Sequence, residues 1–205
     1  DVQHAQAPVA LIFDYEADWS WTVQPHGAGL NYFDLVFDFY KALRGLGLSV
    51  DILPSSTRNF SGYKLIGAPG LMHMTDGLKQ ALIDASGQVI FGPRSGARDE
   101  DFMIPPELPP ALPGRDLKVV RVESLRPDMP VPVQGGGQIK GYLEAVEGGD
   151  SVLIQTSNGD PVAVALSDTN TYMAGWGDQI AMKRLIVLHA QKVGVPTLDM
   201  PDGLR

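Results

Sequence analysis

Val9 to Phe13 is an unbroken apolar run, as expected of a strand buried on both faces. From Asn31 to Leu46 the period changes, with Phe33, Val36, Phe37, Tyr40 and Leu43 recurring at helical steps of three and four. Asn31 three residues before Asp34 resembles a capping arrangement, and Gly45 and Gly47 supply the stop. Leu48 to Leu53 alternates as a second strand, and Tyr63 to Ala68 forms a third. Thr75 to Ala85 is a second helix with Leu78, Leu82 and Ile83 on one face, and Gln88 to Phe91 a fourth strand. Strand, helix, strand, strand, helix, strand at this spacing predicts an α/β fold: a flavodoxin-like sheet with right-handed crossovers and helices on both faces.

Beyond Gly96 the texture changes. Prolines at 105, 106, 109, 110 and 113 break regular structure for about twenty residues. Short alternating runs follow at Lys118 to Val122, Ile139 to Val146, Ser151 to Thr156, Pro161 to Leu166 and Thr171 to Trp176. Between the third and fourth of these, Asn158-Gly159 is a strong hairpin signal, because both residues tolerate positive φ. Gln179 to Val193 closes the chain as a helix expected to turn Ile180, Leu185, Leu188 and Val193 inward. The pattern is one α/β body over residues 8–195 with an antiparallel β extension. Residues 1–7 and 196–205 read as linkers, the second leading toward a following domain, so both ends look cut from something larger.

Composition narrows the function classes. The 205 residues carry 16 basic and 24 acidic side chains, a net charge of −8, which argues against a phosphate-tracking surface and so against nucleic acid or anionic membranes. No stretch reaches the roughly 20 apolar residues of a membrane span, and the first residues lack a basic, apolar signal pattern. With no cysteine the chain has neither disulfides nor thiolate ligands, and a cytoplasmic location is the expectation.

The Gly-rich turn after the fourth strand, Gly92-Pro93-Arg94-Ser95-Gly96, stands where doubly wound folds keep ligands or nucleophiles. A nucleophile elbow needs G-x-S-x-G; here Arg94 holds the apex and Ser95 comes one residue late. The missing cysteine excludes a Cys-His amidase. The candidate acids are Asp14, Glu16, Asp18, Asp99, Glu100 and Asp101; Asp14 and Glu16 after the first strand and Asp99 to Asp101 after the fourth could converge as a glycosidase pair, or they are loop acids and helix caps. His4, His26, His73 and His189 are scattered without metal-ligand spacing, so no metal or cofactor is expected. Gly27-Ala28-Gly29 lacks the third glycine of a dinucleotide fingerprint. Trp19 and Trp21, two apart in what reads as a loop, suit either a sugar-stacking platform or a protein interface, unless they fold back on their own domain.

The segments Val9 to Trp19, Tyr32 to Leu46, Val50-Asp51-Ile52, Tyr63-Lys64-Leu65 with Ala68-Pro69, Phe91 to Gly96, Val122 to Pro127 and Tyr172 to Trp176 together resemble the middle domain of glycoside hydrolase family 42 β-galactosidases, collinearly from Val9 to Arg205. The resemblance implies a class I glutamine-amidotransferase-like trimerisation domain that has lost its nucleophile. It implies a catalytic (β/α)8 barrel in the same polypeptide, a homotrimer, and a galactoside substrate cleaved with retention by two barrel glutamates. Nothing here matches the barrel's Asn-Glu motif, so no catalytic residue carries over and the isolated chain is expected to be inactive. Trp19, Trp21, Arg94, Ser95, Arg98, Asp99 and Phe102 are the candidates for an interface or a rim closing the barrel's site. Two rivals remain: a stand-alone carbohydrate- or small-molecule-binding flavodoxin-like domain, and a divergent hydrolase using Ser95 with His189 or an acid.

Overall fold

The computed structural model describes residues 6–27 and 29–200, so the outer parts of the two expected linkers, 1–5 and 201–205, lie outside the described residues. The first strand, β1 (Val9–Phe13), is followed at once by helix α1 (Tyr15–Val23), then α2 (Tyr32–Gly45), β2 (Val50–Pro54), β3 (Leu65–Ala68), α3 (Asp76–Ile83) and β4 (Gln88–Phe91). The second half holds β5 (Leu117–Ser124), β6 (Val131–Pro132), β7 (Gln138–Gly148), β8 (Ser151–Gln155), β9 (Pro161–Ala165), β10 (Asn170–Met173), β11 (Gly175–Gly177) and helix α4 (Gln179–Lys192).

Seven strands form one mixed sheet in the order β2-β1-β3-β4-β10-β9-β8. The first five run parallel, and β9 and β8 extend the sheet antiparallel. Strands β1, β3 and β4 are buried almost throughout, which is why their sequences are continuous apolar runs. At the edge, β2 leaves Ile52 exposed. From β1 the chain passes through α1 and α2 to β2 on one side, and from β3 through α3 to β4 on the other. A second, antiparallel sheet, β11-β7-β5 with β6 beside β7, stands against the first.

Four expectations are corrected. The stretch after β1 is a helix and not a loop: Asp14 caps it by accepting from the Glu16 N–H at 3.1 Å. Its sequence hides this because Trp19 and Trp21 break any apolar stripe. The run from Thr171 to Trp176 is two strands in two sheets, divided at Ala174, whose N–H and C=O bond to Val162 and Glu144 respectively. Helix α2 buries Tyr32, Leu35, Val36, Phe39, Ala42 and Leu43, leaving Phe33 and Phe37 largely exposed. Helix α4 buries Ala181, Met182, Leu185, Ile186, His189 and Ala190, so Ile180 and Leu188 face outward. In both helices the chosen stripe was rotated because small and polar residues, Ala42, Ala181, Ala190 and His189, face the core.

The Asn158-Gly159 hairpin joins β8 to β9, with Gly159 at φ 95°. Gly148 and Gly149, at φ 89° and 83°, do a different job, carrying the chain from the second sheet into the first.

Candidate functional site

Strand β4 ends at Phe91, and the turn after it is held by close backbone approaches. A Cβ on Gly92 would lie 2.6 Å from the Pro69 Cα, and one on Gly96 would lie 2.1 Å from the Pro110 carbonyl oxygen. The Gly96 and Arg98 N–H groups donate to Leu71 and Met72 at 2.9 and 2.8 Å. At the apex Arg94 takes φ 66°, the left-handed region expected of an elbow residue, with arginine where a nucleophile would stand.

Arg94 is only 1 % exposed. Its guanidinium stacks 4.3 Å from the centre of the Trp21 ring and 5.8 Å from that of Tyr142. One of its nitrogens, Nη2, donates to the Gln24 carbonyl at 2.6 Å. The Arg94 N–H donates to Glu144 Oε1 at 3.0 Å, and that carboxyl also accepts from the Tyr142 hydroxyl at 2.9 Å and the Tyr172 hydroxyl at 2.7 Å. Complete burial pushes the Glu144 carboxyl up to about 7, although these three donors and the Arg94 charge pull the other way. Burial likewise raises both tyrosines, with the Glu144 charge adding to it. One arginine and one carboxyl thus tie α1, the β4 turn, β7 and β10 together across both sheets.

This arrangement offers no nucleophile. Ser95 is fully buried and its Oγ donates to the Ala68 carbonyl at 3.1 Å. His189 is equally buried, its Nδ1 2.8 Å from Gln88 Oε1, and burial lowers it to about 4, so the imidazole is neutral at pH 7. Neither residue bonds to the other. Asp14 caps α1, and Asp99 Oδ1 accepts from the Asp101 and Met103 N–H groups at 3.1 and 2.8 Å, which are the local duties of loop acids. Among the described residues no group of three or more His, Asp or Glu could hold a metal, and no helix is long and apolar enough to cross a membrane.

The seven candidates divide by burial. Trp21, Arg94 and Ser95 are interior to this chain, and Trp21 donates from Nε1 to the Gly70 carbonyl at 2.8 Å. Trp19 is 65 % exposed, and Arg98, Asp99 and Phe102 are half-buried, with the Arg98 guanidinium 5.7 Å from the Phe102 ring centre. Sequence reasoning missed Glu144. Its signal was Tyr142-Leu143-Glu144 on an alternating strand, where period two puts the acid on the same face as a large aromatic.

A second feature is an aromatic ridge over the outer face of α2. Phe33 and Phe37 stack at 6.0 Å with 19° between ring planes, Phe37 and Tyr40 at 6.4 Å with 14°, and Lys41 lies 5.0 Å over Phe37. Phe13 links the ridge to Tyr15, its ring 6.5 Å from Phe33 and 5.0 Å from Tyr15. Tyr15, Trp19, Val23, Phe33 and Phe37 are all largely exposed, a concentration of apolar surface that single scattered residues do not produce.

The family model described as β-galactosidase trimerisation domain matches residues 7–185. A β-galactosidase of Thermus thermophilus is 42% identical over 98% of this chain, and the match takes up 32% of that protein. Among solved structures, a β-galactosidase from the psychrophilic Marinomonas ef1 superposes with a TM-score of 0.91 at 32% identity, covering 97% of this chain and 31% of that one. The β-galactosidase of Halorubrum lacusprofundi also reaches 0.91, at 29% identity over 98% and 33% of the two chains. The chain therefore spans about a third of the length of the proteins it matches.

Proposed function

The chain belongs to the β-galactosidase trimerisation domain family, and from that premise we propose that it is a non-catalytic module that assembles a β-galactosidase into a homotrimer. The reading is carried by the ridge of exposed aromatic residues on α1 and α2 in a chain that the trimerisation model matches almost end to end. Exposed, stacked aromatics on a regular element are the usual anchors of a protein interface. A second copy of the same subunit is the proposed occupant of the ridge, with Trp19 at its α1 end. Residues 8–195 act as the module, and 1–7 and 196–205 as its connections to the rest of the polypeptide.

Hydrolysis of terminal galactosides belongs, on this reading, to a (β/α)8 barrel elsewhere in the same polypeptide. The family's retaining mechanism needs two carboxyl groups about 5 Å apart, one of them a nucleophile reached by substrate. The sealed Glu144 supports leaving both outside this chain. The half-buried loop of Arg98, Asp99 and Phe102 is proposed to close the barrel's site from outside. A class I amidotransferase-like ancestry for the sheet is supported by the positive φ at Arg94, an elbow conformation without its nucleophile. A cytoplasmic location fits the absence of cysteine.

Sedimentation equilibrium on this chain tests assembly directly. A mass of three times 22.1 kDa that dissociates on dilution is the expected result. A monomer at every concentration would move the contact to other parts of the parent. Titration with lactose while following tryptophan fluorescence addresses the carbohydrate-binding rival: only Trp19 is exposed among the three tryptophans, and no saturable quench is expected.

A further inference from the structure

The turn after β4, His26, the face of β5 and Tyr142 and Glu144 of β7 line a cavity of about 280 Å³. Two arginines reach its floor from one loop. Arg94 Nη2 and Arg98 Nη2 both hold Gln24, the first through the carbonyl oxygen and the second through Oε1, so the two guanidinium groups converge on one residue. Neither is ion-paired among the described residues. Arg94 Nη1 is buried with no hydrogen-bond partner, an expensive condition for a cationic group. Glu144, which also lines the cavity, is the nearby acid that interacts with this charge, but its oxygens bond to the Arg94 backbone N–H and the two tyrosine hydroxyls and not to the guanidinium. Arg121 at the mouth is a different case, being paired with Glu123 at 2.7 Å. His26, also at the mouth, is lowered by burial and then by the charges of Arg94 and Arg98, which shows the sign of the local field.

We propose that this cavity binds a carboxylate, with the half-buried Arg98 receiving the charged end, the buried Arg94 adding its positive charge from beneath, and Ile104, Val120 and Val122 covering an apolar stem. A guanidinium suits a planar, two-oxygen anion, and the apolar walls disfavour a fully hydrated ion such as phosphate. Two sources present this chemistry: a small free carboxylate, and an aspartate or glutamate side chain from an adjoining copy of the chain. The binding site stands apart from the aromatic ridge and does not depend on the ridge being the assembly surface.

Calorimetric titration of the 205-residue chain with sodium propionate, against sodium chloride at matched ionic strength, distinguishes the possibilities. Saturable one-to-one binding with a dissociation constant on the order of 1 mM is expected, weakened about tenfold or more by Arg98→Gln and little changed by Arg121→Gln. Thermal melting of both variants close to the parent chain shows that the fold is kept. If propionate does not saturate but Arg98→Gln loosens self-association about tenfold in sedimentation, the carboxylate comes from a second copy. No saturable propionate binding together with unchanged assembly of Arg98→Gln overturns the proposal, as does propionate binding that Arg98→Gln leaves within about twofold.

Discussion

Arg94 and Glu144 show how a single buried pair shapes both stability and its dependence on pH. A non-glycine residue at φ 66° costs about 1 kcal/mol or more, offset here by stacking on Trp21 and by the hydrogen bonds that the Arg94 main chain and side chain make to Glu144 and Gln24. Glu144 is raised in the folded state from 4.5 to about 7, so between those values the fold holds a proton that the unfolded chain has lost. Its contribution to stability is therefore complete below about pH 4.5 and is lost as pH rises through 7. His189 works in the opposite sense: lowered to about 4, it stabilises above pH 6.5, and that contribution is lost as pH falls toward 4. Glu144→Gln removes the first effect alone. Relative to the parent chain, the variant should gain on the order of 2–3 kcal/mol of unfolding free energy between pH 5 and pH 8 in urea titrations. A difference that does not change with pH would mean that Glu144 is not protonated in the fold.

At the scale of elements, α1 separates two tryptophans that the sequence sets side by side. Residues two apart on a helix point to different faces, so Trp21 enters the core against Tyr32 and Trp176 while Trp19 stays in solvent. Trp21→Ala should cost about 3–5 kcal/mol in chemical denaturation, the range for emptying a large buried aromatic site. Trp19→Ala should leave monomer stability within about 0.5 kcal/mol and act on assembly instead. Equal effects of the two on unfolding would contradict the burial described here. The existence of α2 and α4 was readable from periodicity, but their buried faces were not. In α2 the aromatic positions 33, 37 and 40 make as regular a helical stripe as the true core positions 32, 35, 36, 39 and 43. Periodicity detects a helix; it does not say which of two apolar stripes has a partner.

For the whole molecule, the second stripe is where assembly is expected to act. Phe37→Asp places a charge in the centre of the ridge without touching the core, since Phe37 is 45 % exposed. On the assembly reading it should convert trimers to monomers in sedimentation while leaving the thermal transition of the monomer nearly unchanged. A trimer that survives the substitution would move the contact elsewhere on the surface.

The order of β1 to β4 with α2 and α3, the Asn158-Gly159 hairpin and the arginine at the apex of the β4 turn were determined by the sequence alone. Each rests on residues close together in the chain: an apolar run, a pair that tolerates positive φ, an arginine at an apex. The tertiary structure decided which residues that local logic left open. Glu144 meets Arg94 across 50 positions, and Trp176 donates to Asp38 across 138. Ala174 sends one continuous apolar run into two sheets because its neighbours β9 and β7 belong to different layers. Burial is a property of what packs against a residue, and those partners are remote in sequence. The buried acid, the split tryptophans and the two guanidinium groups that converge on Gln24 therefore became visible only in the folded chain.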